Sequence, residues 1–384
     1  MTMSKVRILH LFSSFDLGGK EARAVRLINH FGDKAKHSIL TAMPTAIGAR
    51  EAIDKRIEVD FPGEDAPALY GRPSMGRYRR LGQYMKRFHL ILSYNWGAMD
   101  GVMARTLLGA SMGLPPLIHH EDGFNEDEAE TLNWKRNWFR TIALQRAVGI
   151  VVPSRTLEKI AKQAWHQPPE KIYRFPNGVD VDRYQKRPQR GAFPGWVKRE
   201  GEIVVGTVAG LRAVKNLPML VRAVAAAGPN MRLAIAGDGP ERAAIQAEAE
   251  RLGFADRLIM PGFLKDPARF MALFDVFALS SDSEQFPISM IEAMAAGRPI
   301  VATDVGDIAN MISRENRPLL VKRGDEAGLT KAIAELAANE TLRIDLGHAN
   351  FARALAEYRE GDMLARYQQL YGATMRRADF ARQD

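Results

Sequence analysis

Two glutamates in one short stretch have the residue type and spacing of a ligand-binding pair. Glu284 and Glu292 lie eight positions apart in SSDSEQFPISMIEAMAAGRPIVATDVGD, residues 280–307. Because a helix rises about 1.5 Å per residue, their backbones lie about 12 Å apart if the segment is helical, and farther apart if it begins with a loop. This spacing suits two contacts on one elongated ligand, one at each side of a diphosphate. Either glutamate alone is equally typical of a charge at a helix start.

A helix is predicted to begin between the two glutamates. Phe286 and Pro287 separate the strand-like run VFALSS from the helical run ISMIEAMAAG. Pro287 stops strand pairing, and Gly297 favours helix termination. The amides of Ile288 and Ser289 are therefore expected at the positive end of the helix, directed at the middle of the same ligand.

Two cations follow another predicted strand. Arg212 and Lys215 lie in the turn after EIVVGTVAG, and Pro218 stands early in the next helix. Two cations at a helix N-terminus repel each other and oppose the helix dipole, so an anion between them favours the arrangement. The alternative is solvated surface charge, but the position at the carboxyl end of a strand favours a binding role.

A glycine pair follows the first predicted strand. Gly18 and Gly19 precede a helix, so the backbone there can approach a phosphate, although such a pair is also typical of a tight turn. Neither this loop nor AGDGPER, in which Arg242 occupies the position of the third glycine, matches the dinucleotide-binding fingerprint. The sequence therefore argues against a nicotinamide-dependent enzyme.

These motifs lie in an alternation of short apolar runs and helical patterns that is typical of α/β proteins with doubly wound parallel sheets. The pattern stops in a segment rich in Pro, Gly and charge and then restarts. We expect an N-terminal Rossmann-like domain over residues 1–175, a linker over 176–200 and a second Rossmann-like domain over 201–355. The chain from about Leu342 onward is expected to be one continuous helix without another strand, and its part over 356–384 is expected to pack back on the first domain. Ligands in such folds bind at the carboxyl ends of the strands, here in a cleft between the domains.

Composition narrows the class of protein. A chain of 384 residues exceeds what one hydrophobic core usually fills. The formal net charge of +9 favours anionic partners, and the absence of cysteine excludes disulfides and thiolate metal sites. Neither a signal peptide nor an apolar run of about eighteen residues is apparent. We expect a cytoplasmic protein.

Seven segments, in order along the chain, resemble the retaining glycosyltransferases of family 4, which have the GT-B fold. They are DLGGKE, VVPSRTLEKI, NGVDVDRY, GLRAVKNLPMLVRA, LAIAGDGPER, MPGF and EQFPISMIEAMAAGRPIVATDVGD. The resemblance covers most of the chain. It implies two Rossmann-like domains that face each other across a cleft, with the acceptor bound by the domain over 1–175 and the donor by the domain over 201–355. It also implies a nucleoside-diphosphate sugar as donor, without specifying the base or the sugar.

The resemblance also implies roles for individual residues. The donor-binding set it implies is Gly18, Gly19, Arg212, Lys215, Gly262, Phe263, Phe286, Pro287, Ile288, Ser289 and Glu292. Within this set Arg212 and Lys215 would bind the diphosphate, Glu292 the ribose hydroxyls, and the Gly-Phe of MPGF the nucleobase. Glu284, with the loop through Phe286, would hold the transferred sugar.

The loop expected on the acceptor side departs from the family pattern. LIHHEDGFNED has Asp122 where relatives carry a histidine. Asp122 is expected to act as acceptor base or to bind sugar hydroxyls, with His120 compensating, so the catalytic residues expected are Glu284, Asp122 and His120. A metal site formed with His119 and Glu121 is disfavoured, because successive residues of a strand face opposite ways.

No metal or other cofactor is expected. Fixed cations and a helix dipole can neutralise a leaving diphosphate. The Asp-x-Asp of NGVDVD, Asp180 to Asp182, is interpreted as a turn. The family implies retention of anomeric configuration, and we favour a front-face route in which the departing phosphate helps to deprotonate the acceptor.

Two predicted helices bear on the acceptor. GRYRRLGQYMKRF places Tyr78, Leu81 and Met85 on one face and most cations on the other, and NWKRNWFR, residues 133–140, mixes aromatic and basic side chains. Both patterns are typical of helices at an anionic membrane surface, and equally of helices that pack on a sheet. The partners expected are a nucleotide sugar, a lipid-linked or saccharide acceptor and an anionic membrane surface on the inner face of the cytoplasmic membrane. No nucleic-acid recognition module is apparent.

The expected function is hexosyl transfer in cell-surface polysaccharide or glycolipid synthesis. One alternative is a nucleotide-sugar-binding protein without turnover, because Asp122 breaks the family pattern. Another is a sugar-nucleotide epimerase of the same fold, whose expected pattern lacks this glutamate pair.

Overall fold

The computed structural model describes residues 5–16, 18–124, 128, 131–189 and 191–381. The chain forms two compact units, one from Met1–Pro176 with Asp362–Asp384 and the other from Asn177–Gly361. Each unit is built on one parallel sheet with helices between successive strands. Within the described residues no helix is long and apolar enough to cross a membrane.

The first unit has a seven-stranded sheet. Its strands are β1 (Val6–Phe12), β2 (Ala35–Thr41), β3 (Val59–Asp60), β4 (Leu90–Tyr94), β5 (Leu117–His120), β6 (Gly149–Val152) and β7 (Ile172–Arg174), in the order β3-β2-β1-β4-β5-β6-β7. Its helices include α1 (Gly19–Phe31), α2 (Met75–Met85), α3 (Met99–Met112), α4 (Trp134–Ala143) and α5 (Arg155–Gln163). The strand order reverses between β1 and β4, and such sheets bind ligands outside the carboxyl ends of the strands at this switch point.

The second unit has a six-stranded sheet of the same kind. Its strands are β8 (Ile203–Val208), β9 (Met231–Ala236), β10 (Leu258–Gly262), β11 (Val276–Leu279), β12 (Ile300–Thr303) and β13 (Leu320–Val321), in the order β10-β9-β8-β11-β12-β13. Its helices are α6 (Val181–Tyr184), α7 (Leu217–Ala226), α8 (Arg242–Arg251), α9 (Ile288–Ala295), α10 (Ile308–Met311), α11 (Glu326–Ala338) and α12 (Glu340–Glu357). Here the order reverses between β8 and β11.

Both faces of the first sheet are buried. Ile8 belongs to the core on one face and Leu9 to the core on the other, because successive strand residues point to opposite sides. The last helices of the chain are α13 (Glu360–Met375) and α14 (Ala378–Ala381). Tyr367 and Tyr371 of α13 are fully buried in the same core as Ile8.

The predicted α/β class with two doubly wound sheets is confirmed, and the differences are local. The edge strands β3 and β7 are only two and three residues long, too short for a sequence pattern. Residues 177–200, expected as a linker, group with the second unit, and Val179 and Phe193 are buried in its core.

The prediction of one continuous C-terminal helix is wrong. Tyr358 ends α12, and Arg359 forms an isolated parallel bridge with Val179 before α13 begins. Val179 N donates to Tyr358 O and Glu360 N donates to Val179 O, each at 2.9 Å. A Cβ on Gly178 would lie 2.7 Å from the Arg359 carbonyl oxygen, so the glycine permits this backbone approach. The Tyr358 carbonyl and the Glu360 amide, which would otherwise continue the helix, therefore bond to Val179 instead.

Candidate functional site

The carboxyl ends of β8 and β11 bring one predicted cation and one predicted carboxylate into contact. Lys215 Nζ donates to Glu284 Oε1 at 2.5 Å, and Ser281 Oγ donates to the same oxygen at 2.8 Å. The side chains of Glu284 and Lys215 are 9% and 21% exposed. The two residues meet because β8 and β11 are neighbours in the sheet. The ion pair is therefore fixed by the fold and largely removed from water.

The loop that carries Lys215 is tied to the loop after β11. Ser280 Oγ donates to the Lys215 carbonyl at 2.9 Å, and Asp282 N donates to the Val214 carbonyl at 2.8 Å. Asn216, in the left-handed region at φ 45° and ψ 44°, then starts α7, and its Nδ2 donates to Asp282 Oδ1 at 3.3 Å. Asparagine tolerates this conformation better than most residues. These contacts hold the backbone of Lys215 in place.

The loop that carries Glu284 is held from the other side by the end of β12. Thr303 Oγ1 donates to the Ser281 carbonyl at 2.6 Å. Gly306 adopts φ 63°, and a Cβ there would lie 1.8 Å from the Glu284 carbonyl oxygen. Only glycine fits so close to this backbone, so Gly306 is part of what positions Glu284.

Helix α9 carries the second glutamate. Its N-cap is Pro287, which supplies no side-chain hydrogen bond, so the first amides of the helix, Ile288 and Ser289, have no capping side chain. Glu292 is 7% exposed in the second turn and interacts with its neighbours. Phe286 packs edge to face on Tyr358 with ring centroids 5.9 Å apart. The segment before α9 is a loop, so the two glutamates are not joined by one continuous helix.

The other predicted donor residues of the second unit lie on loops at the same edge of its sheet. Arg212 is exposed at the start of the turn that contains Lys215. Gly262 ends β10 at φ 93°, and its carbonyl accepts a 2.9 Å hydrogen bond from Gly237 N. Phe263 follows with 55% of its surface exposed. An exposed aromatic ring at this edge is available to stack on a planar ligand.

Gly18 and Gly19 belong to the first unit, after β1. Gly19 starts α1, and Gly18 is its N-cap. A Cβ on Gly18 would lie 2.6 Å from Glu21 Oε2, so this carboxylate folds back over the loop. Glu21 is buried and forms an ion pair with Lys20. Burial raises the pKa of Glu21, and the Lys20 charge opposes that rise.

Asp122 is held by a buried arginine. Arg23 of α1, 2% exposed, donates both terminal nitrogens to the Asp122 carboxylate, Nη2 to Oδ2 at 2.7 Å. Burial lowers the pKa of Arg23, but the charge and hydrogen bonds of Asp122, together with the nearby Tyr367 and Tyr94, more than offset it, so the pKa is raised overall. Asp122 N donates to Asn95 Oδ1 at 2.9 Å. The carboxylate is thus oriented at the carboxyl ends of β4 and β5.

His120 lies in the interior of the first unit. Its Nδ1 is 3.2 Å from the Ser93 carbonyl, its Nε2 is 2.8 Å from Tyr371 Oη, and it is 0% exposed. Nδ1 must donate to the carbonyl, so Nε2 accepts from the tyrosine. Burial, and then the Arg23 charge, hold the pKa of His120 well below its ordinary value. Both ring nitrogens are therefore used within the unit, and the ring is neutral.

His119 and Glu121 point to the other face of the sheet. His119 Nδ1 is 2.9 Å from Ser93 Oγ, and Glu121 Oε2 lies 3.5 Å from Arg140 Nε. Arg140 is itself buried and pairs with Glu128 at 3.0 Å. Among the residues that the structure describes, no three His, Cys, Asp or Glu side chains are grouped as a metal site requires. The HHED run is thus divided between two faces.

The sequence did not single out several residues that shape these sites. Arg23 is one residue of an ordinary helical pattern, and nothing in the sequence pairs it with Asp122. Tyr371 lies far along the chain from His120, and Gly306 follows Glu284 by many residues. Asn95 carried a usable signal, since asparagine tolerates a positive φ better than most residues, and its φ is 53°.

Comparison with known proteins gives two family matches along the chain. The family described as Glycosyltransferase Family 4 matches residues 17–183, and the family described as Glycosyl transferases group 1 matches residues 190–353. The first match lies almost wholly in the first unit and the second wholly in the second unit.

Individual relatives are distant. The putative glycosyltransferase EpsF of Bacillus subtilis is 24% identical over 79% of this chain and 80% of its own length. The N-acetyl-alpha-D-glucosaminyl L-malate synthase of Bacillus anthracis is 26% identical over 55% of this chain and 56% of its own length. The match to the 2-deoxystreptamine glucosyltransferase of Streptomyces kanamyceticus is 31% identical and covers 51% of that protein. The chain thus spans about half the length of these last two relatives.

Solved structures agree on the fold. Anabaena Alr3699/HepE in complex with UDP matches 96% of this chain and all of its own, with a TM-score of 0.77 and 19% identity. The sucrose-phosphate synthase of Thermosynechococcus elongatus matches with a TM-score of 0.75 and 19% identity, over 96% of this chain and 98% of its own.

One family match falls on each parallel-sheet unit. The chain belongs to the glycosyltransferase family 4-like proteins of the GT-B fold.

Proposed function

We propose that the chain transfers a sugar from a nucleoside-diphosphate sugar to a lipid-linked or saccharide acceptor, with retention of configuration and without a metal ion. The observation that carries the proposal is the contact of Lys215 with Glu284 between neighbouring strands, beside the start of α9. A cation for a phosphate, a carboxylate for sugar hydroxyls and uncapped helix amides are thus gathered at one edge of one sheet.

Each part of the donor has a matching group in this arrangement. Arg212 and Lys215 bind the diphosphate, with the amides of Ile288 and Ser289 at the positive end of α9. Glu292 accepts hydrogen bonds from the ribose hydroxyls. A diphosphate on Lys215 competes with Glu284 for the ammonium group, and Glu284 is then free to accept from the sugar hydroxyls.

The reaction follows a front-face route in this proposal. The bond between the sugar C1 and the phosphate oxygen breaks, and a bond from C1 to the acceptor oxygen forms on the same face. The proton of the acceptor hydroxyl passes to the departing phosphate oxygen. Arg212, Lys215 and the helix amides stabilise the negative charge that develops on the diphosphate, so a metal ion is not required for that task.

Asp122 is the group proposed to meet the acceptor. Arg23 holds its carboxylate in one orientation and keeps it paired, which suits binding of an acceptor hydroxyl. His120 has no exposed surface and supports this loop from within, through its hydrogen bonds to the Ser93 carbonyl and Tyr371.

The surface of the first unit supports an acceptor carried by a membrane. Helix α2 buries Tyr78, Leu81 and Met85 against the sheet, as the packing alternative expected, while its Arg79 and Arg80 are exposed. Helix α4 exposes two tryptophans four residues apart, Trp134 at 73% and Trp138 at 64%. Both helices pack on α3, and exposed tryptophans together with exposed cations are typical of surfaces that lie against anionic lipid. Several relatives are named as hexosyl or N-acetylhexosaminyl transferases, which supports a hexose donor.

A thermal-shift panel of nucleotide sugars tests the donor. We expect one base and one hexose to raise the melting temperature above the shift given by the free diphosphate. No shift with any nucleotide sugar would contradict the proposal. A shift without release of nucleoside diphosphate would favour the alternative of a binding protein without turnover.

Sedimentation with phosphatidylglycerol vesicles at low salt tests the membrane surface. Trp134→Ser with Trp138→Ser should reduce binding. Leu107→Ser removes an exposed apolar side chain from the neighbouring helix α3 and shows whether a loss of binding is specific to the two tryptophans. If the unaltered protein does not sediment with the vesicles, the lipid-linked acceptor loses this support and a soluble saccharide acceptor is favoured.

A further inference from the structure

A groove on the first unit is lined almost entirely by charge. The cavity measures about 430 Å³ and lies between α5 and the end of β7. Its lining residues are Arg155, Glu158, Lys159, Lys162, Gln163 and Arg174. Four of these six side chains are cationic, one is a carboxylate, and none is apolar. The lining therefore carries an excess of three positive charges.

The helical repeat explains how one element supplies most of this lining. Side chains three, four and seven residues apart share a helix face, so Arg155, Glu158 and Lys162 lie in one row. The opposite side of α5 buries Leu157 and Ala161 in the core. The one lining cation that is not on α5 is Arg174, which pairs in register with Val152 at the end of edge strand β7. The groove is therefore built on regular elements whose backbone is fixed by the core.

The single carboxylate of the groove is already shared. Glu158 Oε1 accepts from Lys162 Nζ at 2.6 Å, and Glu158 Oε2 lies 3.2 Å from Arg174 Nε. Among the described residues no acidic group pairs with Lys159. Ser154 Oγ accepts from Leu157 N at 3.0 Å and so caps the start of α5, which leaves the side chains rather than the helix end as the source of positive potential. A concave surface of one sign concentrates counter-ions.

We propose that this groove binds a phosphate ester or diphosphate, separate from the donor diphosphate assigned to the second unit. A guanidinium fork matches phosphate oxygens in pairs, and an ammonium group adds a point charge, so Arg155, Arg174 and Lys159 form a suitable set. A volume of about 430 Å³ exceeds what a bare ion needs and suits a phosphorylated head group or sugar phosphate. None of the lining residues is apolar, which favours a phosphorylated ligand over an acyl chain. The same phosphate chemistry is offered by a soluble phosphorylated compound and by a lipid head group.

Protection of lysines from an amine-reactive label, located by mass spectrometry on the full chain, tests the site. We expect inorganic pyrophosphate to protect Lys159 and Lys162 but not Lys331, which is exposed on α11. Protection by pyrophosphate would show that a soluble phosphate is sufficient for binding in the groove. Protection by phosphatidylglycerol vesicles but not by pyrophosphate identifies the lipid head group as the source. Protection by neither probe would overturn the proposal.

Three variants test the direction of the change in lysine protection as well as its magnitude. Arg155→Gln with Arg174→Gln keeps both lysines and should weaken the protection by about tenfold or more, because each lost cation removes a charge-assisted contact. Arg314→Gln with Arg317→Gln makes the same charge change at exposed positions of the second unit and should leave the protection unchanged.

Glu158→Gln removes the carboxylate that competes for Lys162 and Arg174, so it should strengthen protection of Lys159. If the groove is only a solvated row of charges, pyrophosphate should protect no lysine preferentially and Glu158→Gln should change nothing. That result, in a variant whose melting temperature is unchanged, would also overturn the proposal.

Discussion

Lys215 Nζ lies 2.5 Å from Glu284 Oε1, across two neighbouring strands of the second unit. Because neither side chain is freely solvated, removal of one leaves the other partly buried without its counter-charge. The pair therefore couples the residue proposed for the donor phosphate to the residue proposed for the transferred sugar.

This coupling gives Glu284→Ala an unusual expected phenotype. Affinity for free nucleoside diphosphate should be unchanged or higher, because Lys215 is released from its carboxylate partner. Turnover should fall by about tenfold to a hundredfold, since contacts to the sugar count most in the transition state. Calorimetric titration with diphosphate, beside steady-state turnover, measures both effects. Loss of diphosphate binding in Glu284→Ala would reverse the roles assigned to Glu284 and Glu292.

Gly306→Ala tests whether the backbone of Glu284 must be held in place. The added Cβ would lie 1.8 Å from the Glu284 carbonyl oxygen, and φ is 63°, so the loop has to move. We expect lower turnover with a smaller loss of diphosphate affinity. Gly253→Ala is the matched control, because its φ is also positive, at 62°, but its Cβ meets no atom within 4 Å. Equal turnover in both variants would show that the position of the loop does not matter to the reaction.

Much of this arrangement could be predicted from sequence, because it depends on local patterns. Strand runs, the Pro287 break and the cations after β8 lie within a few residues of each other, so the edge of the second sheet was predictable. The Arg23–Asp122 and His120–Tyr371 contacts were not, since they join residues 99 and 251 positions apart. The burial of His120 could not be predicted from the sequence for the same reason. Its partner comes from α13, whose place on the sheet depends on a helix break that no residue pattern marked.

Arg23 and Asp122 allow structural and chemical roles to be separated. Asp122→Ala removes the carboxylate that pairs with a buried guanidinium, which should cost about 3 to 5 kcal/mol of unfolding free energy. Arg23→Met with Asp122→Leu removes both charges and should recover most of that stability. If Asp122 acts on the acceptor, the double variant is folded and binds donor but transfers sugar slowly. Full turnover in the stable double variant would assign Asp122 a purely structural role.

Acid should destabilise the first unit through three buried histidines. Burial lowers the pKa of His37 to about 3 and holds the pKa values of His10 and His120 well below the ordinary value. Below about pH 6.5 the unfolded chain binds protons that the folded chain does not, so stability falls as pH drops toward the folded pKa values. The loss is about 1.4 kcal/mol per pH unit for each histidine.

Urea unfolding at several pH values between 7.5 and 4 measures this slope. His37→Gln should reduce the slope in the acid range, whereas His348→Gln, at an exposed position on α12, should not. The same slope in both variants would show that the buried histidines are not the source of the acid sensitivity.

The most direct test of the account is release of nucleoside diphosphate from a nucleotide sugar, measured in the presence of a metal chelator. The sugar nucleotide is the one that gives the largest thermal shift, and water or an added saccharide serves as acceptor. We predict that the unaltered protein releases diphosphate without metal, that Glu292→Ala raises the donor concentration needed for half-maximal rate, and that Glu284→Ala lowers the rate at saturation. Tight binding of the donor with no release by the unaltered protein, or identical rates in all three proteins, would contradict the proposed transferase.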